Sequence, residues 1–215
     1  MHAIEEAPVS VPYFFHPQYL QGSAYEGTIR TKVGERVIVI PEELLEGLHN
    51  ALAFETGRAA PLILHTCGRV WGERLMLRWD QHWRHFYQKR LVDADWDEFL
   101  CWLLECFRFH GWGQIELDFS REEDGVVLFA IHDNVLPHVL ENTKVEWKSE
   151  IFAGLLVELV STMAGRPLDG CQIACVGRGD EVCRFVIATT DRVEAVRRVR
   201  NDDGSTEDML AALDG

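Results

Sequence analysis

The stretch from Asp169 to Ala188, DGCQIACVGRGDEVCRFVIA, leaves the chain few folds to choose from. Cys171, Ile173 and Cys175 are spaced by two, which places them on one face of an extended strand. Gly177, Gly179 and Asp180 supply turn residues that let the backbone reverse, so the stretch predicts a β-hairpin. If the loop runs over 177–181, Cys175 and Cys183 stand opposite each other with both sulfurs on one side, within reach of one bond or one metal. A loop one residue shorter offsets them and separates the faces.

The segment before the hairpin is the most regular helix in the sequence. From Lys148 to Ala164 the residues Ile151, Phe152, Leu155, Leu156, Leu159, Val160 and Met163 form a wide apolar stripe, which predicts a helix at the centre of the core. Gly165 caps it and Pro167 prevents its continuation. Three more helices are legible upstream. One starts at Pro41 with Glu42 and Glu43 in its first turn and ends at Gly57. A second opens at Pro61 and carries Trp71, with Gly68 and Gly72 forming a smooth stripe that permits close approach of another helix. A third runs from Trp96 to His110 and stops at Gly111. Between them, Val37 to Ile40 predict a buried strand, and Ile115, Leu117 and Phe119 alternate with acids as a half-solvated strand. Residues 122–125 turn the chain into a second, more apolar strand, Val126 to Ile131. Residues 1–26, rich in aromatics and proline, predict an irregular covering arm. Thr190 to Arg200 reads as a short closing helix, and 201–215 as a flexible acidic tail with weak helical potential near Met209.

A 215-residue chain that is 47% apolar can bury a full core, and its formal charge of -14 argues against nucleic acid or an anionic membrane surface as partner. No apolar run approaches the roughly 20 residues of a spanning helix, so the chain is expected to be soluble and cytoplasmic. Six cysteines are too few for a disulfide scaffold at this length, which favours reduced thiols or a metal. Residues 69–90 are locally basic and include His82 and His85. The plain reading of that segment is a solvated face, and the sharper one a contact for an acidic ligand or partner.

A greasy helix ending in Gly-Arg, then a strand with Cys, a glycine turn and Cys-Arg-Phe, resembles the 4-vinyl reductase domain family, related in fold to TRAPP tethering subunits and to phenol-sensor domains. The resemblance implies an α+β domain over 27–200, an antiparallel sheet with helices packed around it and a mostly apolar pocket, assembled as a homodimer. In the sensor relatives an upstream Cys, Glu-x-x-Cys and a further Cys hold zinc. Here Cys175 and Cys183 match the last two positions, Gln172 replaces the Glu, and Ser149 or Glu150 stands near the first. Cys171 offers a third sulfur, so Cys171, Cys175 and Cys183 are the candidate zinc ligands. Gln is a poor ligand because a neutral amide does not offset the ion's charge.

The function implied is non-catalytic enclosure of an apolar small molecule, tetrapyrrole or lipid-like, in chlorophyll metabolism or photosystem assembly. Trp71, Phe152, Leu155 and Leu156 are the candidate lining. The alternatives are a vinyl-group reductase, against which the lack of a nicotinamide or flavin motif counts, and a dimeric assembly or tethering subunit with a protein partner.

Overall fold

In the computed structural model, residues 13–143 and 145–214 are described. The expectation for residues 1–12 therefore lies outside the described residues. The order of elements is β1 (Leu20–Ser23), β2 (Thr28–Thr31), β3 (Arg36–Val37), α1 (Glu42–Thr56), α2 (Ala60–Tyr87), α3 (Trp96–His110), β4 (Gln114–Asp118), β5 (Val127–His132), α4 (Val135–Val139), α5 (Glu150–Ala164), β6 (Asp169–Ala174), β7 (Cys183–Ala188), α6 (Thr190–Asn201) and α7 (Thr206–Ala211). The fold is α+β. A small antiparallel sheet β1-β2-β3 accompanies a main antiparallel sheet β4-β5-β7-β6, on which α5 packs.

The centre of the molecule is the crossing of α2 on α5, and glycines set its distance. A methyl group at Gly68 would lie 2.0 Å from the Ile151 carbonyl oxygen, and one at Gly154 2.0 Å from that of His65. Two helix backbones meet there with no side chain between them, as the glycine stripe of α2 predicts. Beneath the crossing, Phe152, Leu155, Leu156 and Leu159 are buried against the sheet, together with Phe129 and Phe185.

The outer strand β6 would expose unpaired carbonyls, and side chains from three helices satisfy them. Gly170 O accepts from Arg197 Nη2 at 2.9 Å and bonds His65 Nε2 at 3.0 Å; Gln172 O accepts from Arg200 at 3.1 Å and Ile173 O from the Thr206 hydroxyl at 3.0 Å. Arg200 also pairs with Glu150, both nearly enclosed.

One sequence expectation needs correction here. Val37 to Ile40 do not make a buried strand: β3 ends at Val37, and Ile38 and Val39 are 75% and 77% exposed. The β-branched run suits a strand, but β2 pairs only with Arg36 and Val37, and Pro41 opens α1 immediately afterwards. Over 201–214 the weak helical potential near Met209 takes the form of α7. Ser205 and Asp208 form a capping box that starts α7, and Met209 and Leu213 are buried. No helix among the described residues is long and apolar enough to cross a membrane.

Candidate functional site

Where α2, α3 and α5 converge, five rings pack into one cluster. Trp71 from α2 meets Trp112 edge-on at 4.9 Å and Phe152 of α5 at 6.3 Å; Phe107 lies 5.2 Å from Trp112 and 5.4 Å from Phe152. His110, the last residue of α3, stacks on Trp112 with ring centres 4.7 Å apart. Trp112 is fixed by its neighbours. Gly111 and Gly113 both take positive φ, and a side chain at Gly113 would collide with His132 O at 2.7 Å. That bend lays the indole over the α3 terminus.

His110 is the polar member of this cluster. Its Nδ1 lies 2.8 Å from Cys106 O and donates to it, since a carbonyl only accepts. Burial holds the imidazole below its usual pKa, so at neutral pH the ring is uncharged and Nε2 carries a lone pair with no hydrogen-bond partner among the described residues. The cluster thus combines apolar ring faces with one acceptor. Its rings touch one another, so the open apolar chamber implied by the resemblance is here a closed stack with Trp71 and Trp112 half-buried at its rim. Of the four lining residues expected from sequence, Trp71 and Phe152 meet in the cluster. Leu155 underlies Gly68 and Gly72 with its backbone, and Leu156 is fully buried core. Phe107, His110 and Trp112 were not singled out, although the Gly-Trp-Gly sequence is the signal that marks a pinned aromatic.

The second arrangement is the hairpin. Ala174 faces Arg184, which makes Cys175 and Cys183 the next opposed pair, so the arrangement with the sulfurs on a common side is the one adopted. The register shifts between Gln172 and Ala174, and this bulge removes Cys171 from the face it would otherwise share with Cys175. Cys171 instead neighbours Arg200, Glu150 and Arg197, while Gln172 and Ser149 reach the thiol pair. The Cys183 thiol donates toward Cys175, and the Lys148 and Gly177 N–H groups point at the same sulfur. Cys175 is therefore held below the usual thiol pKa, and Cys183, as donor and buried, above it.

These residues do not fit zinc. Gln172 Oε1 already accepts from Ser149 N at 3.0 Å, and its Nε2 donates to Ala174 O at 3.0 Å. The Ser149 oxygen accepts from Asn134 at 3.0 Å. A four-ligand ion would have to break those bonds to recruit two neutral oxygens beside two thiolates. Among the described residues no three His, Cys, Asp or Glu side chains converge on one point.

A surface cleft of about 420 Å³ lies between the hairpin tip and the C-terminal segment, lined among others by Trp147, Arg178, Asp180, Arg184 and Glu207. Its charged lining mixes two arginines with three carboxylates, Glu181 being the third. His132 pairs with Glu116 at 3.0 Å on the exposed side of β4–β5.

No family model matches the sequence, and no curated protein matches it. Solved structures do. The phenol-responsive sensory domain of the transcription activator PoxR, with phenol, superimposes with a TM-score of 0.63 at 18% identity, covering 91% of this chain and 92% of that one. A trafficking protein particle complex subunit 3 from Naegleria fowleri, covalently bound to palmitic acid, gives 0.49 at 14% identity over 68% and 93% of the two chains. A vinyl-4-reductase family protein from Methanocaldococcus jannaschii gives 0.46 at 15% identity over 70% and 82%. At these identities the likeness to the sensory domain establishes the fold.

Proposed function

We propose that this chain, which shares its fold with a phenol-responsive sensory domain, is a non-catalytic binding module for an apolar aromatic small molecule bearing one hydrogen-bond donor. The observation that carries this reading is His110: an uncharged imidazole, oriented by Cys106 O and stacked on Trp112, whose Nε2 remains an acceptor beside a cluster of four aromatic rings. Such a combination of ring faces and one placed polar atom suits orientation of a ligand more than packing alone. Because the rings touch, the ligand enters by turning Trp71 outward from the rim. One ring or a fused pair matches this cluster better than the tetrapyrrole or long-chain lipid implied by the family resemblance, and no role in chlorophyll metabolism is needed to explain it. Free thiols at all six cysteines suit a reducing compartment such as the cytoplasm.

The test is a fluorescence titration with 1-naphthol, which is apolar and carries one hydroxyl. One probe bound per chain, with quenching of tryptophan emission and weaker binding by naphthalene, supports the reading. No saturable binding, or equal affinity for the two, rejects it.

The domain is further proposed to work as a homodimer through α1. Only His49 of that helix is buried, whereas Leu44, Leu48 and Phe54 are 50%, 57% and 86% exposed and continue the bare Ile38–Val39 segment. Light scattering of the wild type and of Leu48→Glu with Phe54→Glu checks this. A dimer converted to a monomer is expected, and a monomeric wild type contradicts it.

A further inference from the structure

Arg184 of β7 stands opposite Ala130 of β5 and Ala174 of β6, so neither neighbouring strand offers it a carboxylate. Arg184 and Ala174 both border the cleft of about 420 Å³ between the hairpin tip and the turn from α6 to α7. That volume falls within the range of roughly 300 to 1,000 Å³ typical of small-molecule pockets. Its apolar lining includes Trp147, Ile173 and Met209, all buried residues of the core or its edge. Ile173 reaches the cleft through the bulge in β6. Gln172 pairs with Phe185 and Ala174 with Arg184, which leaves Ile173 between them as the residue without a partner on β7.

Both walls of the cleft are fixed by bonds of their own. On the hairpin side Asp180 Oδ2 accepts from Cys175 N at 2.7 Å, while Arg178 stacks 4.3 Å from the Trp147 ring centre and pairs with Glu146 at 2.6 Å. On the other side Ser205 and Asp208 form the capping box of α7, and the Thr206 hydroxyl donates to Ile173 O at 3.0 Å. A side chain at Gly204 would collide with Val199, which keeps the turn into α7 tight. Asp180 and Arg178 are thus engaged in holding the wall. Arg184, Glu181 and Glu207 come from three different elements, border the same cleft, and have no ion-pair or hydrogen-bond partner among the described residues. Opposite charges face one cleft without meeting across it.

We propose that this cleft binds a free amino acid with an apolar side chain, whose carboxylate pairs with Arg184, whose ammonium lies between Glu181 and Glu207, and whose side chain rests on Ile173, Met209 and Trp147. A molecule with both charges satisfies both sets of groups at once. A simple anion would meet two carboxylates, and a simple cation would meet Arg184, so each is disfavoured by the half of the site it cannot use. An ammonium has three donors and can serve both glutamates together. The cleft shares no residue with the His110 cluster and does not depend on the reading given for it.

The test is calorimetric titration of the full chain with L-leucine, L-methionine and L-phenylalanine, followed by the amide and the N-acetyl form of whichever binds most tightly. One site per chain is expected for at least one of the three. The amide lacks the carboxylate and the N-acetyl form lacks the ammonium, so each loses charge-assisted hydrogen bonds and should bind at least about tenfold more weakly. Arg184→Gln should weaken the amino acid by a similar factor and leave its amide unaffected. Glu181→Gln with Glu207→Gln should weaken the amino acid likewise and leave its N-acetyl form unaffected. All three positions are exposed, so the variants are expected to keep the wild-type melting temperature. No saturable binding of any of the three amino acids overturns the proposal. So does equal affinity for the amino acid and its two blocked forms, or undiminished binding by both variants.

Discussion

The α2–α5 crossing sets the spacing of Trp71 and Phe152, and Gly68→Ala tests it. The added methyl would sit 2.0 Å from Ile151 O, 2.9 Å from Ile151 C and 2.9 Å from Leu155 N, where an ordinary contact is 3.4 Å or more. All three atoms are backbone of a helix, so none can swing away; the helices must separate locally by about 1.4 Å to restore a normal contact. Overpacking of this kind costs about 1 to 3 kcal/mol, and backbone obstruction places this site at or above the upper end. Alanine returns about 1 kcal/mol through helix propensity. The net expectation is a loss of about 2 kcal/mol, or about 4 to 8 °C in melting temperature for a chain of this length. Gly154→Ala, whose methyl would lie 2.0 Å from His65 O, should behave alike. The two together should cost less than their sum, because one separation relieves both. Gly47→Ala in α1, with nothing within 4 Å, is the control and should be neutral or stabilising by up to about 1 kcal/mol. Urea unfolding of the variants beside the wild type decides the matter. A Gly68→Ala variant as stable as the wild type would refute the argument that the glycine sets the distance.

Acidification should destabilise the fold. Burial, Arg78, Lys32 and His85 lower the His82 pKa to about 4, so between about pH 6.5 and 4 the unfolded chain binds more protons than the folded one. That contribution is complete above pH 6.5 and lost as the pH falls toward 4, and His49, His65 and His110, shifted the same way, add to it. The raised carboxyl of Glu35, which faces His82, works in the opposite sense above its usual pKa, so a melting temperature that rises monotonically as the pH drops from 6.5 would contradict the assignment. Native iodoacetamide labelling followed by mass spectrometry should modify exposed Cys67 first and half-buried Cys101 more slowly. Cys106, Cys171, Cys175 and Cys183 should react only on unfolding, and early labelling of Cys171 would place β6 wrongly. Glu150→Ala leaves the Arg200 guanidinium enclosed without its carboxylate and should cost about 3 to 5 kcal/mol by denaturant titration; a loss below about 1 kcal/mol would mean that water reaches the pair.

The sequence patterns that translated directly were those with a local cause. The α3 boundaries at Trp96 and His110 follow from a capping box at Asp95 and a left-handed Gly111, and both lie within a few residues of what they cap. The stripe of α5 and the glycines of α2 were legible separately, and their pairing follows because a smooth face has use only against another backbone. Three features were not legible because their causes are tertiary. The bulge between Gln172 and Ala174 reverses which side chains meet the thiol pair, and period-two counting cannot see an inserted residue. Exposure of Ile38 and Val39 depends on what fails to cover them. The hydrogen-bond chain from Tyr13 through His82 to Glu35 joins residues 69 and 47 positions apart, with no spacing rule to connect them.

The central claim is that an aromatic ligand enters beside Trp71 and gives its hydrogen bond to His110. A crystal structure of the chain grown with 1-naphthol tests it most directly. The prediction is a ligand between Trp71 and Trp112 with its hydroxyl about 2.8 Å from His110 Nε2 and the Trp71 side chain turned toward solvent. An undisturbed ring cluster with 1-naphthol bound elsewhere would contradict it.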